Sequence, residues 1–224
     1  GVLGRLRRDE DNRIRSLEAW MVGDWTPTPG WTVLGAVRRS RLSFDADDHY
    51  LAPGNPDDGG GRTFSATSPV ASLGWQARPG LFVFASWGQG FETPTFAELA
   101  YRTDGSSGFN RDLRPAHFDS AEAGLRWRFD DGPELTFAAY RIEGRDEIVP
   151  ALAQGGRTSY ANAGRTRRNG AEASLEGHLG ERWSYLLVGN WIDARFEDSF
   201  ANQVVRNGVA ETHVVEAGNR IPGI

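Results

Sequence analysis

The side chains that could carry out chemistry are few and widely spaced in this sequence. It contains no cysteine, which excludes a thiolate zinc site, a cysteine nucleophile and a disulfide framework. Its four histidines lack the short spacings that are typical of metal ligands. They are His49, His117, His178 and His213. We therefore expect no metal site and no cofactor, and we interpret these histidines as solvated residues of loops or of a hydrated interior.

An acidic cluster is the best candidate for cation binding. It consists of Asp45, Asp47, Asp48, Asp57 and Asp58. A calcium loop ends in a bidentate glutamate, which this stretch lacks, so a solvated loop is the better interpretation. Asp47 and His49 also have the spacing of part of a catalytic dyad, but no nucleophile or second acid accompanies them.

Two further motifs lack the context that their chemistry needs. The Gly-Gln-Gly run at 88–90 begins like a dinucleotide-binding fingerprint, but the third glycine and the following helix are missing. The Arg-Thr-Arg-Arg run at 165–168 has no neighbouring aromatic residues on which bases could stack, and the whole chain carries a net charge of −5. We therefore expect a protein that is not an enzyme and does not bind nucleic acid, and we assign no catalytic residue.

The elements that must position these residues are predicted to be β-strands. Hydrophobic residues make up 39% of the sequence, and its 28 glycines and eight tryptophans favour short strands joined by tight turns. The longest apolar runs are far shorter than the roughly 20 residues of a membrane-spanning helix. A membrane-spanning strand needs only about 9–11 residues, of which every second one is apolar. The composition thus excludes a helical membrane protein and permits a transmembrane β-barrel.

Alternation of apolar and polar residues predicts about nine antiparallel strands. We place them at 13–26, 31–44, 64–77, 81–90, 117–129, 134–149, 158–179, 183–197 and 212–220. The fifth is the clearest, because Ala121, Ala123 and Leu125 alternate with Glu122 and Arg126. One face of this strand is therefore expected to contact lipid and the other to contact water.

Charged residues on the polar faces of the fifth and seventh strands are candidates for a hydrated lumen. They are Glu122, Arg126, Arg128, Glu172 and Glu176. An arginine that faces lipid near the bilayer centre costs about 2–4 kcal/mol, so these charges are expected to face inward.

The predicted connections alternate between short and long along the chain. The short ones lie at 27–30, 78–80, 130–133 and 180–182, and the long ones at 45–63, 91–117, 150–157 and 198–211. Aromatic residues, among them Trp25, Trp31, Trp75 and Phe82, flank the short turns. Short periplasmic turns, long extracellular loops and an aromatic rim are typical of outer-membrane barrels. The alternative is that these rings fill the core of a soluble β-sandwich.

From about Val70 onward, the chain resembles the C-terminal half of the barrel of TonB-dependent outer-membrane receptors. The matching phrases come in the family's order. They are Gly-Phe-Glu-Thr-Pro-Thr-Phe-Ala-Glu-Leu at 90–99, Asn-Arg-Asp-Leu-Arg-Pro at 110–115 with Ser-Ala-Glu-Ala-Gly-Leu at 120–125, Arg-Asp-Glu-Ile-Val at 145–149, Tyr-Ala-Asn-Ala-Gly at 160–164, Arg-Asn-Gly-Ala-Glu-Ala-Ser-Leu at 168–175 and Gly-Asn-Arg-Ile-Pro-Gly at 218–223. Pro115 is followed by Ala116 and His117, where the family usually has Pro-Glu. Residues 1–69 fit the strand pattern alone.

The resemblance implies a barrel of about 22 strands, filled by an N-terminal plug. The chain would then be one partial barrel domain over 1–224, without the plug and the final strands. The whole protein would be a monomer in outer-membrane lipid that imports a scarce nutrient, most often a ferric siderophore. Energy would come from the TonB complex through the plug, which the lumen charges would contact.

Ligand recognition in such a receptor is expected in the long loops. Exposed aromatic and guanidinium groups there are the candidates for ligand contact. They are Tyr50, Tyr101, Phe109 and Arg111. Three alternative functions stay open from the residues alone: a passive outer-membrane porin, a barrel enzyme and a soluble β-sandwich adhesin.

Overall fold

A computed structural model describes residues 6, 8–54, 56–130 and 132–223, without the side chain of residue 206. The secondary structure is almost entirely β. The strands are β1 (Glu10–Trp25), β2 (Trp31–Asp48), β3 (Gly60–Arg78), β4 (Leu81–Glu92), β5 (Ala116–Arg128), β6 (Glu134–Arg145), β7 (Ile148–Gln154), β8 (Arg157–Asn162), β9 (Arg165–Leu179), β10 (Trp183–Phe196), β11 (Phe200–Arg206) and β12 (Val209–Val215), and one short helix is α1 (Phe96–Leu99). Within the described ranges, no helix has the length and hydropathy needed to cross a membrane.

Eight long strands form one antiparallel sheet, which we call the wall. Their order is β1-β2-β3-β4-β5-β6-β9-β10. Tight turns join neighbouring strands at one end of the wall, and three of them contain a glycine with positive φ: Gly30, Gly80 and Gly180. The predicted all-β antiparallel architecture and its short turns are confirmed, and the wall stays an open sheet over the part of the chain that the structure describes.

The long connections at the other end form a second, four-stranded sheet in the order β12-β11-β7-β8. The predicted strands 134–149 and 158–179 are therefore wrong in extent, because each divides into a wall strand and a strand of this second sheet. Asp146 lies at the first division and has a φ of 59°, which breaks the extended geometry. The predicted strand at 212–220 is also wrong in extent, since β12 starts at Val209 and pairs with β11.

Two predicted long loops are tight hairpins within the second sheet. Gly155 and Gly156 form the turn between β7 and β8, with φ values of 58° and 77°. Asn207 and Gly208 join β11 to β12, with φ values of 51° and 78°. Consecutive positive φ angles are what a two-residue hairpin turn requires, and Asn-Gly is the sequence that adopts them most readily.

One face of the wall, which we call the outer face, exposes large apolar side chains. The strand register places seven of the eight tryptophans on it: Trp25, Trp31, Trp75, Trp87, Trp127, Trp183 and Trp191. Of these, Trp25, Trp75, Trp87, Trp183 and Trp191 are 43–73% exposed. A contiguous apolar surface of this kind is unfavourable in water, so the outer face is suited to lipid.

The aromatic rim at the short turns is largely as predicted. Trp31 and Trp75 stack with their ring centroids 5.5 Å apart, and Trp127 stacks on Phe129 at 4.2 Å. Phe82 is the exception, because it lies on the opposite, inner face, where its ring occupies the space above Gly74.

The loop cluster at the mouth of the wall

The segment 93–115 folds back over the inner face of the wall at its long-loop end. Phe44 and Phe64 of this face are buried together with Leu99, Phe109 and Leu113 of the segment. We call this segment and the second sheet together the mouth assembly. This hydrophobic cluster shows that the segment 93–115 bends inward, which distinguishes the inner face from the exposed outer face.

The Thr-Pro-Thr motif starts the inward fold. β4 ends at Glu92, and Pro94 follows fully buried; a proline cannot donate to a strand neighbour, so pairing stops here. Thr95 then caps α1: its amide donates to Glu98 Oε2 at 2.7 Å, and its Oγ1 accepts from the Glu98 amide at 3.4 Å. Such a capping box fixes the first turn of the helix and so directs Leu99 into the core.

Asn110 and Asn162, from the motifs at 110–115 and 160–164, hold the segment 93–115 in place. Asn110 is fully buried, its amide donates to Leu99 O at 2.7 Å, and its Nδ2 donates to Tyr160 O at 3.3 Å. Asn162 accepts from the Arg114 amide at 2.8 Å and donates to Arg114 O at 2.8 Å. Both side chains therefore replace main-chain pairing between the segment and β8.

A largely buried ion pair joins the connection between β6 and β7 to the wall strand β9. Arg168 Nη1 and Nη2 lie 2.6 Å and 2.8 Å from the two carboxylate oxygens of Glu147, and the Thr166 hydroxyl also donates to that carboxylate. Burial raises the pKa of Glu147, but the hydrogen bonds from Arg168 and Thr166 outweigh it and lower the pKa below its usual value. Glu147 is therefore held in its charged form.

A second ion pair joins β9 to the connection after β10. Asp198 accepts from the Arg165 amide at 2.8 Å and from Arg165 Nε and Nη2 at 3.1 Å and 2.8 Å. These hydrogen bonds lower the pKa of Asp198 to about 2. Gly164 makes the approach possible, because a Cβ there would collide with the Asp198 carboxylate. The motif Tyr-Ala-Asn-Ala-Gly thus ends in a glycine that packing requires.

A cavity of about 770 Å³, open to solvent on one side, lies between the mouth assembly and the residues 50–54 that follow β2, and it is the candidate ligand site. The residues that line this cavity include Tyr50, Tyr101, Leu152, Arg157 and Ser159. The Arg157 guanidinium lies over the Tyr101 ring, 5.4 Å from its centroid, and Ser159 Oγ donates to Thr103 O at 3.1 Å. The arrangement offers aromatic surface, a guanidinium and hydroxyl groups to a bound molecule.

Of the four predicted loop residues, the structure brings two together. Tyr50 and Tyr101 line the cavity. Phe109 does not face a ligand: it is only 6% exposed, since it packs in the core against Gly60, where a side chain would collide with its ring. Arg111 is exposed and lies outside the cavity lining. Sequence reasoning missed Arg157, whose only signal is its place directly after the Gly155-Gly156 turn.

Asp47 and His49, whose spacing would suit part of a dyad, do not form a hydrogen bond with each other. His49 Nε2 instead lies 3.3 Å from Asp11 Oδ2 on β1. The reason is the strand register, because Asp47 stands opposite Asp11 across the sheet, and His49 follows the end of β2. This arrangement is a solvated surface contact.

The sequence matches a family model described as "TonB dependent receptor-like, beta-barrel" over residues 2–224. The chain belongs to this family. TonB-dependent receptors are β-barrels of the outer membrane of Gram-negative bacteria, so the wall is part of an outer-membrane barrel, and the apolar character of its outer face is suited to that membrane. The mouth assembly is then extracellular. The family consists of receptors and transporters, and the alternative of a soluble β-sandwich is excluded.

Curated proteins that are similar in sequence to this chain are receptors of the same family. The probable TonB-dependent siderophore receptor PiuA of Acinetobacter baumannii is 24% identical over 98% of this chain and 29% of its own length. The probable TonB-dependent receptor BfrD of Bordetella pertussis is 32% identical over 54% of this chain and 16% of its own length. The chain thus spans less than a third of these curated relatives.

Solved structures show the same barrel fold. The ferric yersiniabactin uptake receptor FyuA from Yersinia pestis has a TM-score of 0.65 at 18% identity, with 91% of this chain and 33% of FyuA covered. The copper transporter OprC has a TM-score of 0.67 at 19% identity, with 81% of this chain and 29% of OprC covered.

The five charged residues predicted for the lumen of this receptor barrel lie on its inner face. Arg126 and Arg128 pair with Glu134, at 3.4 Å and 2.7 Å. The other three are Glu122, Glu172 and Glu176, and none of them has a basic side chain of the described residues within 4 Å. Their contact with a plug stays a prediction.

Proposed function

We propose that this chain forms part of the barrel wall and the extracellular mouth of a receptor. The receptor imports a ferric siderophore across the outer membrane and takes its energy from the TonB complex. The cavity in the mouth assembly carries the proposal. Tyr50, Tyr101 and Arg157 together offer two aromatic rings and one fixed positive charge. Ferric siderophores are organic chelates, often anionic, so aromatic surface and a guanidinium suit their recognition.

The names of the relatives support an iron chelate. PiuA is described as a siderophore receptor, and FyuA as a ferric yersiniabactin uptake receptor. OprC is described as a copper transporter. A bare copper ion would need imidazole or sulfur ligands. The described cavity lining has neither histidine nor methionine, which favours the chelate as the ligand.

The inner-face carboxylates support a plug inside the whole barrel. Glu122, Glu172 and Glu176 face the lumen without a basic partner in the described chain. Basic groups of a plug domain would form charge-assisted hydrogen bonds with carboxylates of this kind. The outer membrane has no ion gradient or ATP, so such a plug must also transmit the mechanical work of the TonB complex. The wall holds the plug, and the mouth assembly binds the ligand.

Uptake of radiolabelled iron by cells tests the proposal. The full-length receptor is expressed in a strain without other siderophore receptors, and a panel of ferric siderophores is offered with and without an intact tonB gene. We expect uptake of at least one chelate that needs both the receptor and TonB. Uptake that continues without TonB would indicate a passive porin, and transport of free copper alone would exclude the chelate.

A further inference from the structure

Three arginines on the outer face form a basic patch directly above the apolar band of β1–β3. They are Arg15 on β1 and Arg39 and Arg41 on β2, all exposed. On β2, the apolar outer-face residues end at Val37, and Arg39 is the next residue on that face. The patch thus begins where the lipid-facing surface changes from apolar to polar. An arginine at this depth costs only about 0–1 kcal/mol, so it is tolerated here.

Hydroxyl groups fill the space between these arginines. The register places Ser43 beside Arg15, Ser65 beside Arg41, and Thr67 beside Arg39. Arg39 Nη1 donates to Thr67 Oγ1 at 2.8 Å, and the hydroxyls of Ser43 and Thr63 are 2.9 Å apart. Guanidinium and hydroxyl groups on one flat surface are the donors that phosphate oxygens bind in proteins.

The arginines of the patch lack the carboxylate partners that other outer-face arginines have. Arg145 lies 2.7 Å from Asp119, and Arg195 lies 2.8 Å from Asp193. Arg141 also pairs with a neighbouring carboxylate, Glu143. In contrast, none of the three patch arginines has a carboxylate of the described residues within 4 Å. Asp11, Asp45 and Asp47 lie farther toward the loops on the same face. These aspartates line one depression with Arg13 and Arg15, whereas Arg39 and Arg41 lie away from it and carry the positive charge of the patch at the edge of the apolar band.

We propose that this patch binds the phosphate groups of lipopolysaccharide, the anionic glycolipid of the outer leaflet. Its acyl chains would lie along the apolar band below, over residues such as Val37 and Met21, while its phosphates meet Arg15, Arg39 and Arg41. No other part of the outer face in the described ranges combines exposed arginines, free of carboxylates, with hydroxyls at the edge of the band. The site is separate from the mouth assembly and from ligand uptake.

Lipid binding to the full-length receptor tests this proposal. The purified receptor is titrated with diphosphorylated lipid A in detergent, and bound lipid is counted by native mass spectrometry. The test variant is R39Q/R41Q. The matched control is R141Q/R195Q, which removes two outer-face charges from arginines that have carboxylate partners. Heat-dependent mobility on a gel confirms that each variant is folded. If R39Q/R41Q does not fold, the single variant R15Q is titrated with lipid A in its place.

We expect R39Q/R41Q to bind lipid A about thirtyfold more weakly, the loss expected for two basic residues at an anionic surface. The control should bind within about threefold of the wild type, since its arginines are already paired. Lipid A without phosphates should bind wild type and R39Q/R41Q equally. Equal losses of lipid A affinity in both double variants would overturn the proposal. Displacement of the lipid by inorganic phosphate at the same phosphate concentration would also overturn it, because it would indicate a simple anion site.

Discussion

Asn162 and Arg114 are joined by two hydrogen bonds of 2.8 Å: the Arg114 amide donates to Asn162 Oδ1, and Asn162 Nδ2 donates to Arg114 O. The same Nδ2 also donates to Asp146 O at 2.6 Å. The side chain of Asn162 thus forms hydrogen bonds with the main chain of two segments, which lie 48 and 16 residues before it in the sequence. It fixes the segment 93–115 against the second sheet, and so it sets the shape of the extracellular mouth.

The substitution Asn162→Asp tests this contact. A carboxylate cannot donate to the carbonyl oxygens of Arg114 and Asp146, so both hydrogen bonds are lost, and each contributes about 0.5–1.5 kcal/mol. We expect faster amide hydrogen exchange and faster proteolysis in 93–115, with the wall unchanged. Asn190→Asp is the matched control, because Asn190 is exposed on β10. Equal protection of 93–115 in both variants would show that the contact is dispensable.

The ion pair of Glu147 and Arg168 predicts an asymmetry between single and double substitutions. Both side chains are only 16% exposed, so Glu147→Gln leaves a half-buried guanidinium without its partner, at a cost of about 3 kcal/mol. E147Q/R168M removes both charges and should lose less stability than E147Q alone. Thermal unfolding of the full-length receptor measures both. Glu143→Gln, which breaks an exposed pair, should cost less than about 1 kcal/mol and serves as the control.

The pair of Asp198 and Arg165 predicts a dependence on acid. The folded-state pKa of Asp198 is about 2, below the ordinary value of about 3.9. Its contribution to stability is therefore complete above the ordinary value and is lost as the pH falls from there toward about 2. The protection factor of the Arg165 amide is the intrinsic exchange rate divided by the observed rate at the same pH, and it should fall as the pH is lowered from 6 to about 2.5. In D198N the protection factor of this amide should be low and independent of pH, and a fall in protection like that of the wild type would contradict the assignment.

Gly164 predicts a steric effect next to the same pair. A Cβ at this position would overlap the Asp198 carboxylate, so Gly164→Ala must displace Asp198 and weaken its hydrogen bonds to Arg165. Gly189→Ala is the matched control, because a Cβ there has no atom within 4 Å. We expect G164A to lower the unfolding temperature of the receptor and to release the start of β9 to hydrogen exchange, while G189A leaves both unchanged. Identical behaviour of the two variants would show that Asp198 is not tightly held.

The wall was predictable from the sequence, and the mouth assembly was only partly so. Strand positions and faces follow from a period of two, so residues such as Ala121 and Glu122 were placed correctly from local pattern alone. The contacts of Asn162 and Glu147 join residues far apart in the chain, and no periodicity encodes them. The motifs at 145–149 and 160–164 marked these positions through resemblance, without showing what the side chains do. Phe109 was misplaced because an aromatic residue in a long loop has the same sequence signal whether it packs or is exposed.

The cavity of the mouth assembly predicts which loop arginine contacts the ligand. Arg157 lies over Tyr101 at the cavity wall, whereas Arg111 is exposed outside it. Both are single positive charges on loops, so a purely electrostatic attraction would make them equivalent. We expect Arg157→Gln to weaken binding of the imported chelate at least about tenfold, because a charge-assisted contact contributes about 1.5–3 kcal/mol. Arg111→Gln should stay within about twofold of the wild type. Fluorescence quenching of the purified receptor by the ferric chelate measures both affinities. A larger loss in R111Q than in R157Q would move the ligand site out of the cavity and back to the loop surface.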